Sequence, residues 1–73
     1  MSATTAIKER LKDLNMSQSD LAKALGTTRQ NLANKFSRDN FTTKELCDIG
    51  EILKFSLVLK ADKEYIVQYD KKY

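Results

Sequence analysis

Apolar residues recur along the first half of the chain at helical spacing. Ile7, Leu11 and Leu14 stand at i, i+4 and i+7 with Lys8, Glu9, Arg10, Lys12 and Asp13 between them. This predicts an amphipathic first helix of about ten residues, preceded by a polar lead-in at Met1 to Thr5. Asn15 suits the exit, because its short amide tolerates left-handed backbone. Ser17 and Asp20 resemble a capping box, with Asp in place of the usual Glu or Gln, and predict a helix from Gln18 to Leu25 with Leu21, Ala22 and Leu25 facing inward. Gly26 ends it in a tight left-handed turn. Thr27 or Thr28 caps a third helix running to about Phe36. Leu32 and Phe36, with Ala33 alongside, are its apolar residues, and Arg29, Gln30 and Asn34 project from another side.

Ser37-Arg38-Asp39-Asn40 reads as a polar turn. Thr42 to Glu45 supplies a second capping box, for a fourth helix with Leu46, Ile49 and Leu53 on its inner stripe and Ile52 flanking it. The period then changes. Phe55 to Leu59 and Tyr65 to Tyr69 are β-rich runs separated by Lys60 to Glu64, a hairpin-length connection. Alternation puts Tyr65, Val67 and Tyr69 on one face, opposite Ile66 and Gln68, where they are expected to pack on the helices or on a partner subunit. Phe36, Phe41 and Phe55 read as core, and the tail Asp70 to Tyr73 is expected to fray. The fold class is mainly α: four helices and a short C-terminal β-hairpin or strand. Residues 1–55 form the helical domain, and 56–73 a β extension of the same domain.

Composition narrows the function. The chain has 73 residues, enough for one small core. It has one cysteine and no histidine, which excludes an internal disulfide and argues against a zinc site or a histidine general base. Two glycines and no proline leave no glycine-rich phosphate loop. No cofactor, metal or small-molecule ligand is expected, and an enzyme is not. Cys47 reads as a small buried hydrophobe rather than a redox sensor, having no basic neighbour and no second cysteine. No apolar run is long enough to span a membrane, and no signal segment follows Met1, so the expected place of action is the cytoplasm. The net charge is +3. Between Gln18 and Arg38 stand Lys23, Arg29, Lys35 and Arg38 against Asp20 alone, so that window accounts for the whole excess. A localised positive excess points towards nucleic acid.

Two short helices joined by a tight glycine turn are the physical content of a helix-turn-helix. Gln18 to Leu32 has its parts: Ala22 for a close crossing, Gly26 for a sharp turn, and Leu21, Leu25 and Leu32 to hold the pair to the body. Arg29, Gln30 and Asn34 are left facing out. Arg can pair with a guanine edge, and Gln or Asn with an adenine edge, through two hydrogen bonds in the major groove. Lys35 and Arg38 suit phosphates, where a positive charge works without strict geometry. Lys23 reads as surface filler or a peripheral phosphate neighbour.

Met-Ser-Gln at 16–18, Leu-Ala at 21–22, the Gly-Thr-Thr turn at 26–28 and the polar helix after it resemble the Cro/C1 (XRE) helix-turn-helix family of phage and bacterial regulators. The resemblance runs from Ile7 to Leu53. It implies binding of operator DNA, usually as a dimer, by a transcriptional repressor or activator. It further implies that Gln18 touches a phosphate and braces Arg29, and that Thr28, Arg29, Gln30 and Asn34 face the groove. Ser37, Arg38 and Asn40 fall in the loop that follows the DNA backbone. The chain departs from the family pattern at Lys35 and Phe36, at Arg10 where an apolar residue is usual, and in carrying strands instead of a fifth helix.

The expected function is therefore that of a repressor-like, sequence-specific regulator. Its expected partners are double-stranded DNA, as a palindromic operator, and a second copy of the chain. The alternative is a protein-interaction module, such as an antitoxin or anti-repressor, using the C-terminal strands.

Overall fold

The computed structural model describes residues 1–69. Asp70 to Tyr73, expected to fray, lie outside the described residues. Those described form four helices, α1 (Ala3–Asp13), α2 (Gln18–Leu25), α3 (Arg29–Arg38) and α4 (Thr43–Leu53), then strands β1 (Leu57–Lys60) and β2 (Glu64–Val67). They fall into two compact units, divided after Phe41.

In the first unit, α1 begins four residues ahead of Ile7. Met1 to Thr5 is not wholly a lead-in: Ser2 caps the helix, its hydroxyl accepting the Thr5 N–H at 3.1 Å. A polar stretch reads as coil when apolar periodicity is the signal, yet a serine immediately ahead of a turn of small residues is a helix start. Ile7, Leu11, Leu21, Ala22, Leu32 and Phe36 form this unit's core. Leu14 is 36% exposed, against its place in the expected stripe, because α1 has ended and Asn15 (φ 59°) turns the chain away. Leu25 and Phe41 are half-buried.

One device ends all four helices. A single residue enters the left-handed region: Asn15, Gly26 (φ 75°), Asp39 (φ 50°) and Lys54 (φ 62°). After α1, α2 and α3 the chain then makes the paired closure of a Schellman motif. For α2 these bonds run from the Gly26 N–H to the Lys23 carbonyl at 3.1 Å and from the Thr27 N–H to the Ala22 carbonyl at 3.0 Å. For α3 they run from Asp39 to Phe36 at 3.2 Å and from Asn40 to Lys35 at 3.3 Å. The expected turn at Ser37 to Asn40 is thus shorter. Asp39 supplies the exit alone, so Ser37 and Arg38 belong to the last helical turn.

In the second unit, Thr42 and Glu45 form the expected capping box of α4, whose Ile49, Gly50 and Leu53 are buried. Leu46, Ile52 and Phe55 are half-buried. The strands pair antiparallel, Leu57 opposite Val67 and Leu59 opposite Tyr65. They are shifted from the expected runs. Phe55 donates its N–H to the Gly50 carbonyl at 3.0 Å and so belongs to the helix exit. Lys60 and Glu64 pair within the ladder, leaving a three-residue connection. Cys47 is half-buried rather than buried, with its thiol 3.8 Å from the Val67 carbonyl oxygen as donor. The polar acceptor across from it is the reason it is not a purely apolar packing residue.

Gly50 had no evident purpose in the sequence. A Cβ there would lie 2.8 Å from the Phe55 backbone oxygen and 3.1 Å from its ring. The bare backbone of α4 is what lets the chain fold back so closely. Gly50→Ala should therefore destabilise, despite the better helix propensity of Ala, by about 1–3 kcal/mol. Thermal unfolding followed by circular dichroism is the check, and a midpoint at or above the wild-type value would contradict the contact.

Candidate nucleic-acid interface

The first unit builds the candidate interface from α2, the turn at Gly26 and α3. At the start of α2 the Ser17 hydroxyl accepts the Asp20 N–H at 3.0 Å, and the Asp20 carboxylate accepts the Ser17 N–H at 3.1 Å. Leu21 is fully buried and Ala22 nearly so. A small residue there permits a close approach of the facing helix, and α2 and α3 pack against one another. Gly26 has open space around it, so its requirement is conformational: at φ 75° an L side chain is strained whatever the room.

Thr28, not Thr27, caps α3, its hydroxyl accepting the Asn31 N–H at 3.0 Å. Thr27 is used differently, as acceptor of the Asn31 side-chain amide at 3.3 Å. Asn31 thereby fastens the first turn of α3 to the preceding loop, a role not evident from the sequence. The spacing of four between Thr27 and Asn31 was the available signal.

Leu32 and Phe36 bury one stripe of α3. At about 100° per residue, Gln30, Asn34 and Ser37 fall on the opposite stripe, with Arg38 beside them. All four are exposed, as are Arg29 and Thr28. Gln30 donates an amide hydrogen to the Asn34 side-chain oxygen at 3.2 Å. Its own carbonyl and a second N–H remain available, the acceptor and donor that match an adenine edge. Arg29 opens the helix about 100° round from Gln30 and has no side-chain partner among the described residues.

The residues expected at phosphates are more dispersed. Gln18 is half-buried at the start of α2, and Lys35 is half-buried on the flank of α3. Ser37 and Arg38 lie on the last helical turn, and exposed Asn40 follows the left-handed Asp39. Lys23 is exposed on α2. Among the described residues, no group of three or more His, Cys, Asp or Glu side chains could hold a metal ion, and no helix is long and apolar enough to cross a membrane.

A family model described as helix-turn-helix, of Cro/C1 (XRE) type, matches residues 7–59. The chain belongs to that family. No curated protein and no solved structure matches it. The match runs from within α1 through α4 and most of β1, and family membership makes this chain a DNA-binding helix-turn-helix regulator. The family is one of regulators that generally are not enzymes. Its two-helix unit is here a pair of eight- and ten-residue helices about a left-handed glycine.

The capping box also makes the unit sensitive to acid. The hydrogen bonds from the Ser17 backbone and then its hydroxyl hold the Asp20 carboxyl below its ordinary 3.8. A lowered carboxylate stabilises the fold at pH values above the unfolded pKa and loses that contribution as pH falls through the folded one. Asp20→Asn should therefore cost stability at neutral pH and show a flatter decline between pH 5 and 2, about where carboxylates titrate. Denaturant midpoints measured across that range would test it, and parallel curves for the two proteins would refute it.

Proposed function

We propose that the chain is a repressor-like, sequence-specific transcriptional regulator that inserts α3 into the DNA major groove. One observation carries this reading: a helix fixed from behind by buried Leu32 and Phe36 exposes Gln30 and Asn34 on its opposite stripe and Arg29 at its first position. Buried polar side chains must find partners, but exposed ones are free to be chosen for their target. Arg29 reads guanine, Gln30 and Asn34 read adenine, and Thr28 touches an adjoining base. Gln18, Lys35, Ser37, Arg38 and Asn40 hold phosphates. Repression needs nothing beyond occupancy of the operator. The setting is the bacterial cytoplasm, on the nucleoid.

The hairpin supports a homodimer. Leu59 and Ile66 are 63% and 65% exposed, and Tyr65 and Val58 are also exposed. A two-stranded sheet is marginal alone, and its unpaired edges invite another strand. Residues 56–73 then act as the dimerisation element. Two copies would present two α3 helices to half-sites about 34 Å apart on a palindromic operator. The same apolar hairpin favours a second reading, in which it clasps a different protein as an antitoxin or anti-repressor does.

Selection of bound duplexes from a random pool tests the primary reading and should return a palindrome. On the recovered duplex, Arg29→Ala should cost about 1–3 kcal/mol and relax specificity at one base position. Arg38→Ala should weaken all sequences alike and reduce the salt slope by about one. Affinities of both variants equal to wild type would remove α3 from the interface. Light scattering should give a dimer on that duplex, and Ile66→Lys should weaken it to a monomer. Monomeric binding would leave the hairpin to the second reading.

A further inference from the structure

We infer that Thr4 and Asp39 are positioning residues for the DNA-facing helix, tying the start of α1 to the end of α3 and so setting the turn that carries Lys35 and Arg38. The inference rests on the proposed use of α3. Neither residue was singled out by the sequence pattern for a role in binding, and both lie in the first unit.

Two hydrogen bonds make the tie. The Thr4 backbone N–H donates to the Asp39 carboxylate at 2.9 Å, and the Thr4 hydroxyl donates to the Phe36 carbonyl at 3.2 Å. The Thr4 N–H lies in the first turn of α1, where intrahelical acceptors are missing, and the Phe36 carbonyl, which already accepts the Asp39 N–H, takes the Thr4 hydroxyl on its second lone pair. A carboxylate at a helix N-terminus also meets the positive end of the α1 dipole. Hydrogen bonding from Thr4 holds the Asp39 carboxyl below its ordinary value. Next to the tie, the Lys8 ammonium lies 5.4 Å from the centroid of the Phe36 ring.

Asp39 thus has two separable properties. Its backbone is left-handed at φ 50°, which glycine would adopt more readily. Its side chain holds Thr4 and adds a negative charge one residue after Arg38, at the end of a helix proposed to approach phosphates. A residue serving only as the helix exit would be improved by glycine. A residue acting only through its charge would, when neutralised, allow tighter DNA binding. Positioning predicts a different pattern from both.

The test compares Asp39→Gly, Asp39→Asn and Thr4→Val with wild type, using a duplex that the wild-type chain enriches from a random pool. Asp39→Gly relieves the backbone, removes the charge and cuts the tie. Its thermal midpoint should stay within a few degrees of wild type while its affinity falls by about fivefold or more. Asp39→Asn keeps an acceptor oxygen and tolerates the left-handed region, so it should bind within about twofold of wild type or tighter. Thr4→Val, which leaves Asp39 intact, should lose affinity to a smaller extent. Tighter or unchanged binding by Asp39→Gly, with Arg29→Ala still impaired on the same duplex, overturns the inference and spares the DNA reading. If Asp39→Gly does not fold, unchanged binding by Thr4→Val overturns it instead. A pool without enrichment, or an Arg29→Ala affinity equal to wild type, sinks the DNA reading and this inference together.

Discussion

The orientation of α3 depends on the backbone having somewhere left-handed to go at each end of it. Gly26 turns the chain sharply from α2, and Asp39 closes the far end. Between those points Leu32 and Phe36 are buried along one stripe, which settles the rotation of the helix about its own axis. Direction and rotation together decide which side chains face solvent. A right-handed extension past Leu25 would merge α2 and α3 into one helix, and the polar face would have no separate direction. Among the described residues no polar or charged side chain is buried, so the polar side chains are kept off the core.

That separation explains how so few residues can combine a fold with a helix whose polar face is left exposed. The first unit's core consists of two aliphatic pairs, an alanine and one aromatic ring. Each helix gains further stability from its caps, whose bonds satisfy backbone groups that would otherwise rely on water. Ser2, Ser17, Thr28 and Thr42 each cap one helix with a hydroxyl. Because local bonds define the helix ends so sharply, the exposed positions of α3 carry little structural duty. Gln30 and Asn34 are partly ordered by one another, which lowers the entropy that DNA contact would have to remove.

The second unit has a different balance. Gly50 admits the Phe55 backbone, and α4 packs against β1. The outer parts of the hairpin remain apolar and exposed, with Lys63 over the Tyr65 ring at 5.1 Å and Lys44 over the Tyr69 ring at 5.7 Å. These cations partly shield the aromatic faces but do nothing for Leu59 and Ile66. Leu59 shares one face of the ladder with Tyr65, and Ile66 the other face with Val58.

Much of the architecture was legible in order along the chain. The capping boxes at Ser17 and Thr42, the exits at Asn15 and Gly26 and the extent of α2 follow from interactions within a few residues, and such signals survive in the sequence. The Cro/C1 resemblance was legible for the same reason, since its residues are mostly those of one turn and its neighbours. The early start of α1, the two further residues of α3 and the displaced strands were not legible, because each depends on which of several acceptable local conformations the folded chain selects. Asp39 is equally at home in a turn or as a left-handed exit. Distant bonds decide in its case: the carboxylate meets Thr4, 35 residues away, and only folding brings that donor within reach. Gly50 and Phe55 tell the same story at shorter range, for a glycine's missing Cβ has no meaning until the fold sets another backbone against it. The sequence alone determined which segments become helices and which residue types they can offer to DNA. Tertiary structure decided where each helix stops and what its end is fastened to, because those choices rest on contacts between residues that are neighbours only in space.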